Sequence, residues 1–220
     1  MDILFPVILV LCAYLLGSAS SAILLCRLYY NTDIRDIGSG NPGANNVQRN
    51  FGWKMGLAVF IIDFLKGTGA VSMAPLSGIA PDTELYTTFQ IILGSAVILG
   101  HIFPVFFRFK GGKGVAVLCG VLAAIHPWAM LVCLGAFLAM MCITRYISLS
   151  VLVAILFYPI MANLLSGIWF IPEATMTLRV FSMAAAAILW LTHISNIKRL
   201  LRHQEEKFSF RKPVPKAGRK

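Results

Sequence analysis

The chain has 220 residues, of which 58% are hydrophobic and 13% charged, with a formal net charge of +10. A soluble domain carries about 25% charged residues, so this chain has too few ionic groups to coat a water-facing surface. The same figures exclude a disordered chain, a nucleic-acid-binding tail protein and a secreted disulfide scaffold, and with a mean hydropathy of +0.79 they leave an all-α polytopic membrane protein, in which ~20 apolar residues make each crossing.

Apolar runs lie near 3–26, 54–75, 88–107, 114–125, 127–144, 148–170 and 177–195. The first is too long for a signal h-region and has only Asp2 ahead of it, so it reads as an uncleaved first span. The stretch 114–144 is too long for one ordinary helix and too short for two full ones. His126-Pro127 interrupts it, because the residue before a proline disfavours continuing α geometry. It is therefore divided into two short, tilted or partly re-entrant helices, for a total of about seven spans. The five cysteines, Cys12, Cys26, Cys119, Cys133 and Cys142, form no C-x-x-C pair and read as packing residues.

The loops set the direction. Arg27, Arg35, Arg49 and Lys54 follow the first run, whereas the next loop carries Asp82 and Glu84 and no base. Arg108, Lys110 and Lys113 follow the third run, and Arg145 precedes the sixth. Beyond His193 come Lys198, Arg199, Arg202, Lys207, Arg211, Lys212, Lys216, Arg219 and Lys220. Basic loops face the cytoplasm, which predicts an outside N-terminus, a cytoplasmic C-terminus and an odd number of spans. The positive charge is then a topology signal that also meets anionic headgroups, and nucleic acid is not an expected partner. Residues 1–202 form one transmembrane domain; 203–220 form a basic cytoplasmic tail, expected to be mobile or to lie on headgroups.

Three cytoplasmic segments are too polar and glycine-rich for plain connectors. Ser39-Gly40-Asn41-Pro42-Gly43-Ala44-Asn45-Asn46, continuing to Arg49, suits an anion nest: glycines expose successive N–H groups, and an arginine fork fits a phosphate. Taken alone, it is equally a Gly/Pro turn with a solvated arginine. Lys110-Gly111-Gly112-Lys113-Gly114 lets backbone and two ammonium groups approach an anion at a helix N-terminus. It lacks Walker spacing, so ATP is not indicated, and the plain alternative is a basic loop with a glycine turn. His193 and Asn196 share a helix face and could hold a hydroxyl and a phosphate oxygen, or simply end a helix. Asp63 and Lys66 could pair inside the second span, as a functional or a structural ion pair. Gly17-Ser18-Ala19-Ser20-Ser21 fits close helix packing. Ser148 could cap the sixth span. His101 reads as structural, and His126 and His203 have no partner in the sequence.

Taken together, Gly38–Asn46 with Val47 and Arg49, Gly100-His101-x-Phe103-Pro104-Val105-Phe106 with Phe109–Ala116, and His193-x-x-Asn196-Ile197-x-Arg199-Leu200 resemble the bacterial acyl-phosphate-dependent glycerol-3-phosphate acyltransferases. The blocks occur in that family's order and the likeness covers nearly the whole chain. It departs at Asn45, where threonine is common, and at Ser20, Val117 and His203. The resemblance implies a seven-span fold in the bacterial inner membrane with a cytoplasmic active site. It implies transfer of a fatty acyl group from acyl phosphate to the 1-hydroxyl of sn-glycerol 3-phosphate, giving lysophosphatidic acid and phosphate for phospholipid synthesis, without metal or organic cofactor. It also points to Ser39, Asn41, Gly43, Arg49, Lys113, Ser148, His193 and Asn196.

The expected catalytic group is Ser39, Lys113, His193 and Asn196. Asn41, Gly43, Ala44, Asn45, Asn46, Arg49, Lys110, Gly111, Gly112, Gly114 and Ser148 are expected to bind substrate phosphate. Acyl phosphate is a mixed anhydride with a good leaving group, so direct transfer suffices and a Ser39 acyl-enzyme is the sharper alternative. The three blocks hold no carboxylate, which leaves His193 or the acyl phosphate itself as proton acceptor. An organophosphate transporter is the rival reading; such proteins usually show internal repeats, and none is found here.

Overall fold

The structure is a computed structural model and describes residues 4–81, 83–167 and 173–209; Asp82 and the bases from Arg211 onward lie outside them. The described residues form ten α-helices, three 3-10 turns and no strand. In chain order they are α1 (Leu4–Ser18), α2 (Ser21–Tyr30), α3 (Ala44–Phe51), α4 (Trp53–Val71), α5 (Glu84–Ile102), α6 (Val115–Ile125), α7 (Pro127–Thr144), α8 (Ile147–Asn163), α9 (Met176–Thr192) and α10 (Ile194–Leu201).

By length and apolarity, three segments can each cross a membrane: Trp53–Ser77, Glu84–Phe107 and Pro127–Thr144. Two broken pairs qualify if each counts as one span, α1 with α2, bent by 41°, and α9 with α10, bent by 57°. Helices α6 and α8 are shorter and apolar. The division of 114–144 at His126 is present, and α6 at eleven residues is about 16 Å long, half of a hydrocarbon core.

The run 3–26 is not one continuous helix. It breaks at Ala19-Ser20, where a side chain satisfies a freed carbonyl, as an apolar surrounding requires, and the hydroxyl before the break serves a neighbouring loop. Lys66 Nζ donates to the Ala19 carbonyl at 2.6 Å, and Ser18 Oγ accepts from Val105 N–H at 3.4 Å. Ser148 does not cap α8, whose N-cap is Tyr146.

Small residues set the packing, as read from the first span. A Cβ on Gly17 would lie 2.1 Å from the Val97 carbonyl, and one on Gly100 the same distance from that of Tyr14, so α1 and α5 cross with backbones touching. Helices α4 and α6 repeat this: a Cβ on Gly67 would meet the Val117 oxygen at 2.1 Å and one on Gly120 the Phe64 oxygen at 2.0 Å. Such crossings gain dispersion where there is little hydrophobic drive between helices. They make two tight pairs, and Gly94, whose Cβ would lie 2.7 Å from Val121, seats α5 on α6, with the loop Phe103–Gly114 between these two helices.

Gly67→Ala and Gly120→Ala should each destabilise the protein by about 1–3 kcal/mol through overpacking, whereas Gly69→Ala, whose Cβ would meet nothing within 4 Å, should not. Thermal unfolding in detergent reads the difference; equal midpoints for all three would refute the crossing.

Candidate active site

A cavity of about 600 Å³ opens between α3, α4, α6, α7, α8 and the α9–α10 junction. One end is polar, with Ser39, Asn41, Asn45, Arg49, Lys113 and His193 in its wall. The other runs down between α6, α7 and α8 past Leu118, Leu122, Met130, Cys133, Phe137 and Ile155. A ligand that fits has an anionic head and a long apolar tail.

The first loop is built around Asn46. Its Oδ1 accepts from Ser39 N–H at 3.1 Å, and its Nδ2 donates to the carbonyls of Ile34 at 3.2 Å and Ile37 at 3.0 Å. Gly40 N–H bonds to Ile37 O and Gly43 N–H to Asn41 O. Asn46 is therefore a clasp, and much of the expected open nest is spent within the loop. What remains for an anion is the N-terminus of α3, where Gly43 offers no side-chain cap and the first N–H groups have no helical partner. Gly43, Ala44 and Asn45 line the cavity there. One turn later on the same helix stands Arg49.

The second loop also departs from expectation. Gly111 N–H donates to Ile102 O and Gly112 N–H to His101 O, each at 3.1 Å. These N–H groups stitch the loop to the end of α5 rather than cradle an anion. Lys110 is exposed, and neither it nor Gly111 and Gly112 lines the cavity, while Lys113 and Gly114 do. Within this loop Lys113 is the one cation that reaches the cavity wall.

The third segment meets the second directly. Thr192 Oγ1 donates to Lys113 O at 3.3 Å, and Lys113 Nζ donates to Asn196 Oδ1. His193 Nδ1 lies 2.8 Å from Leu189 O. A carbonyl can only accept, so Nδ1 carries the proton and Nε2 is left as an acceptor.

One tail residue ties the first block to the third and, through Asn196, reaches the second. Glu205, whose side chain is 1% exposed, accepts from Asn196 Nδ2 at 3.0 Å, Ser148 Oγ at 3.1 Å, Arg49 Nη2 at 3.2 Å and Arg199 Nε at 2.7 Å. The segment 205–209 is a strap held against the helices. Gln48 Nε2 donates to Ser209 O at 2.9 Å and Phe208 N–H to Arg145 O at 2.7 Å, so the strap runs from α3 to the α7–α8 junction. Burial pushes the Glu205 carboxyl up, but its bonds from Arg199 and Asn196 outweigh that and hold it below the usual carboxylate range. It is thus the counter-ion of Arg49 and Arg199. Burial, reinforced by Arg199 and Arg49 against the opposing pull of Glu205, brings Lys113 down to about 8.

The glycerol-3-phosphate acyltransferase family model matches residues 7–203. The glycerol-3-phosphate acyltransferase of Chlorobaculum tepidum is 38% identical over 224 aligned residues, covering 92% of this chain and 96% of its own. That of Shewanella woodyi is 41% identical over 208, covering 94% and 95%. Among solved structures, PlsY (YgiH), an integral membrane glycerol 3-phosphate acyltransferase in its glycerol 3-phosphate form, superposes with a TM-score of 0.81 at 34% identity, covering 93% of this chain and 96% of that one. Its lysophosphatidic acid form gives 0.78 at 33% identity.

Two outcomes follow from the geometry. Glu205→Gln should cost on the order of 3 kcal/mol, because Arg49 and Arg199 lose a buried counter-charge; an unchanged thermal midpoint would contradict the tie. Lys113 is cationic below about pH 8, so binding of sulfate, whose charge is constant there, should weaken as pH rises through that value, and Lys113→Arg should abolish that weakening.

Proposed function

We infer the activity from one premise: the chain belongs to the glycerol-3-phosphate acyltransferase family. It is an integral membrane enzyme that transfers an acyl group to glycerol 3-phosphate. We propose further that the donor is acyl phosphate and that the products are lysophosphatidic acid and inorganic phosphate. The observation that carries this is the cavity itself, which places two cations, Arg49 and Lys113, and an α-helix N-terminus at one end of an apolar channel. A lipid donor with an anionic head and a small anionic acceptor both fit.

Two phosphates repel, and the protein's first task is to hold them together. Arg49 and the start of α3 take one, and Lys113 takes the other or the charge that develops on the acyl oxygen. Asn196, fixed from both sides by Lys113 and Glu205, and His193 through Nε2 orient the glycerol 1-hydroxyl. That oxygen attacks the acyl carbon, the C–O bond to phosphate breaks, and the proton passes to His193 Nε2 or to a phosphate oxygen. Ser39 lines the site, and no base is bonded to its hydroxyl among the described contacts. That favours direct transfer over an acyl-enzyme.

Topology follows the charge. Three long spans, two broken pairs and the shorter α6 and α8 make seven, with the N-terminus outside and the active site on the cytoplasmic face of the inner membrane. The tail's first turns then belong to the active site.

Purified protein supplied with acyl phosphate and glycerol 3-phosphate should form lysophosphatidic acid, and acyl-CoA should not replace the donor. Lys113→Ala and His193→Ala should lose transfer by about 10²-fold or more while still inserting in the membrane. Normal turnover in either removes the assigned site, and a stable labelled ester on Ser39 overturns direct transfer.

A further inference from the structure

Behind the Lys113 loop lies a buried charged cluster that the transfer scheme leaves unused. Asp63 on α4 is 1% exposed, Lys66 6% and His101, near the end of α5, 5%. Asp63 Oδ1 accepts from Ser21 Oγ and from Lys66 Nζ, each at 2.7 Å. Lys66 Nζ also holds the Ala19 carbonyl in the break between α1 and α2. The ion pair thereby locks α4 to the start of α2 and to the break before it, and charged groups at such depth are costly unless they serve a purpose.

That carboxylate faces His101. Nδ1 lies 3.7 Å from Asp63 Oδ1, too long for a hydrogen bond but within electrostatic range. A negative oxygen there favours the tautomer with the proton on Nδ1 and Nε2 bare. The Nε2 edge of the ring lies against Gly112: a Cβ on Gly112 would sit 2.2 Å from Nε2, 3.0 Å from Cε1 and 3.1 Å from Cδ2. Gly112 has no positive φ that would by itself demand glycine. Its missing side chain is explained by the imidazole beneath it, and Lys113 is the next residue. Asp63 and His101 both contribute to the cavity wall.

We propose that Asp63 and His101 are positioning residues for the acyl transfer. The carboxylate holds the imidazole under Gly112, and the imidazole fixes the height and direction at which the loop delivers Lys113 to the cleft. The inference rests on the reading of Lys113 as a group that contacts a phosphate-bearing substrate. It assigns a role to the Asp63–Lys66 pair that an ion pair serving packing alone would not have.

Acyl transfer is measured on the full chain for wild type, His101→Ala, Gly112→Ala and the double variant, with acyl phosphate and glycerol 3-phosphate as substrates. A displacement of about 1 Å at Lys113 is enough for kcat/KM losses of about tenfold or more in each single variant. In the double variant the alanine at 112 enters the space the ring has left, so its kcat/KM should exceed that of Gly112→Ala by about tenfold, a non-additivity expected of residues in contact. His101→Ala should also raise the KM of the same substrate whose KM is raised by Lys113→Arg; a loss of folded enzyme would lower kcat alone. Losses that simply multiply, or an unchanged KM in His101→Ala, overturn the proposal. If His101→Ala does not accumulate in the membrane, His101→Asn, which also withdraws the ring from Gly112, takes its place with the same outcomes. A wild-type protein that forms no lysophosphatidic acid removes the acyltransferase reading instead, so the two failures are distinguishable.

Discussion

Four donors from three helices converge on one buried carboxylate. Arg49 comes from α3, Ser148 from α8, and Asn196 and Arg199 from α10, and all meet Glu205. Without that negative charge two guanidinium groups and Lys113 would repel one another in a partly desolvated cleft. With it, Arg49 and Arg199 are held close on one carboxylate, and under the proposed reading the remaining positive potential is what the two anionic substrates meet. The order Arg49–Glu205–Asn196–Lys113 makes the three sequence blocks a single site.

The helices below serve that site by holding still. Backbone contact at Gly17, Gly67, Gly100 and Gly120 leaves little room for sliding. Irregular backbone occurs where protein groups satisfy it: Lys66 at the Ala19 carbonyl, and the carbonyls of His101 and Ile102 at the Gly111–Gly112 turn. The same glycines that look like a phosphate cradle are what allow that turn to lie flat on the end of α5. A rigid mount for one lysine is the consequence.

Much of this was legible in the sequence. Apolar runs gave the helices, glycine clusters beside bases gave two walls of the site, and the i,i+3 spacing gave the Asp63–Lys66 pair. The cofacial placement of Arg49 and Lys113 was foreseen from their loops. What could not be read were contacts between distant residues. Glu205 sits in a basic tail, 156 residues from Arg49 and 57 from Ser148, and nothing local marks it as a hub. Similarly, only coordinates show that Gly111 and Gly112 spend their N–H groups on α5, that Asn46 clasps its own loop, and that Lys110 points away from the cavity. The break in the first run was hidden because Ser, Ala and Gly are equally at home in a tightly packed helix.

Under the proposed reading, donor and acceptor occupy one cleft together, each with its own cation. Titration of glycerol 3-phosphate into the protein saturated with a non-transferable acyl phosphonate tests this most directly. Simultaneous occupancy, with heat of binding retained at saturating phosphonate, is the predicted result. Mutual exclusion, each ligand displacing the other, would contradict it.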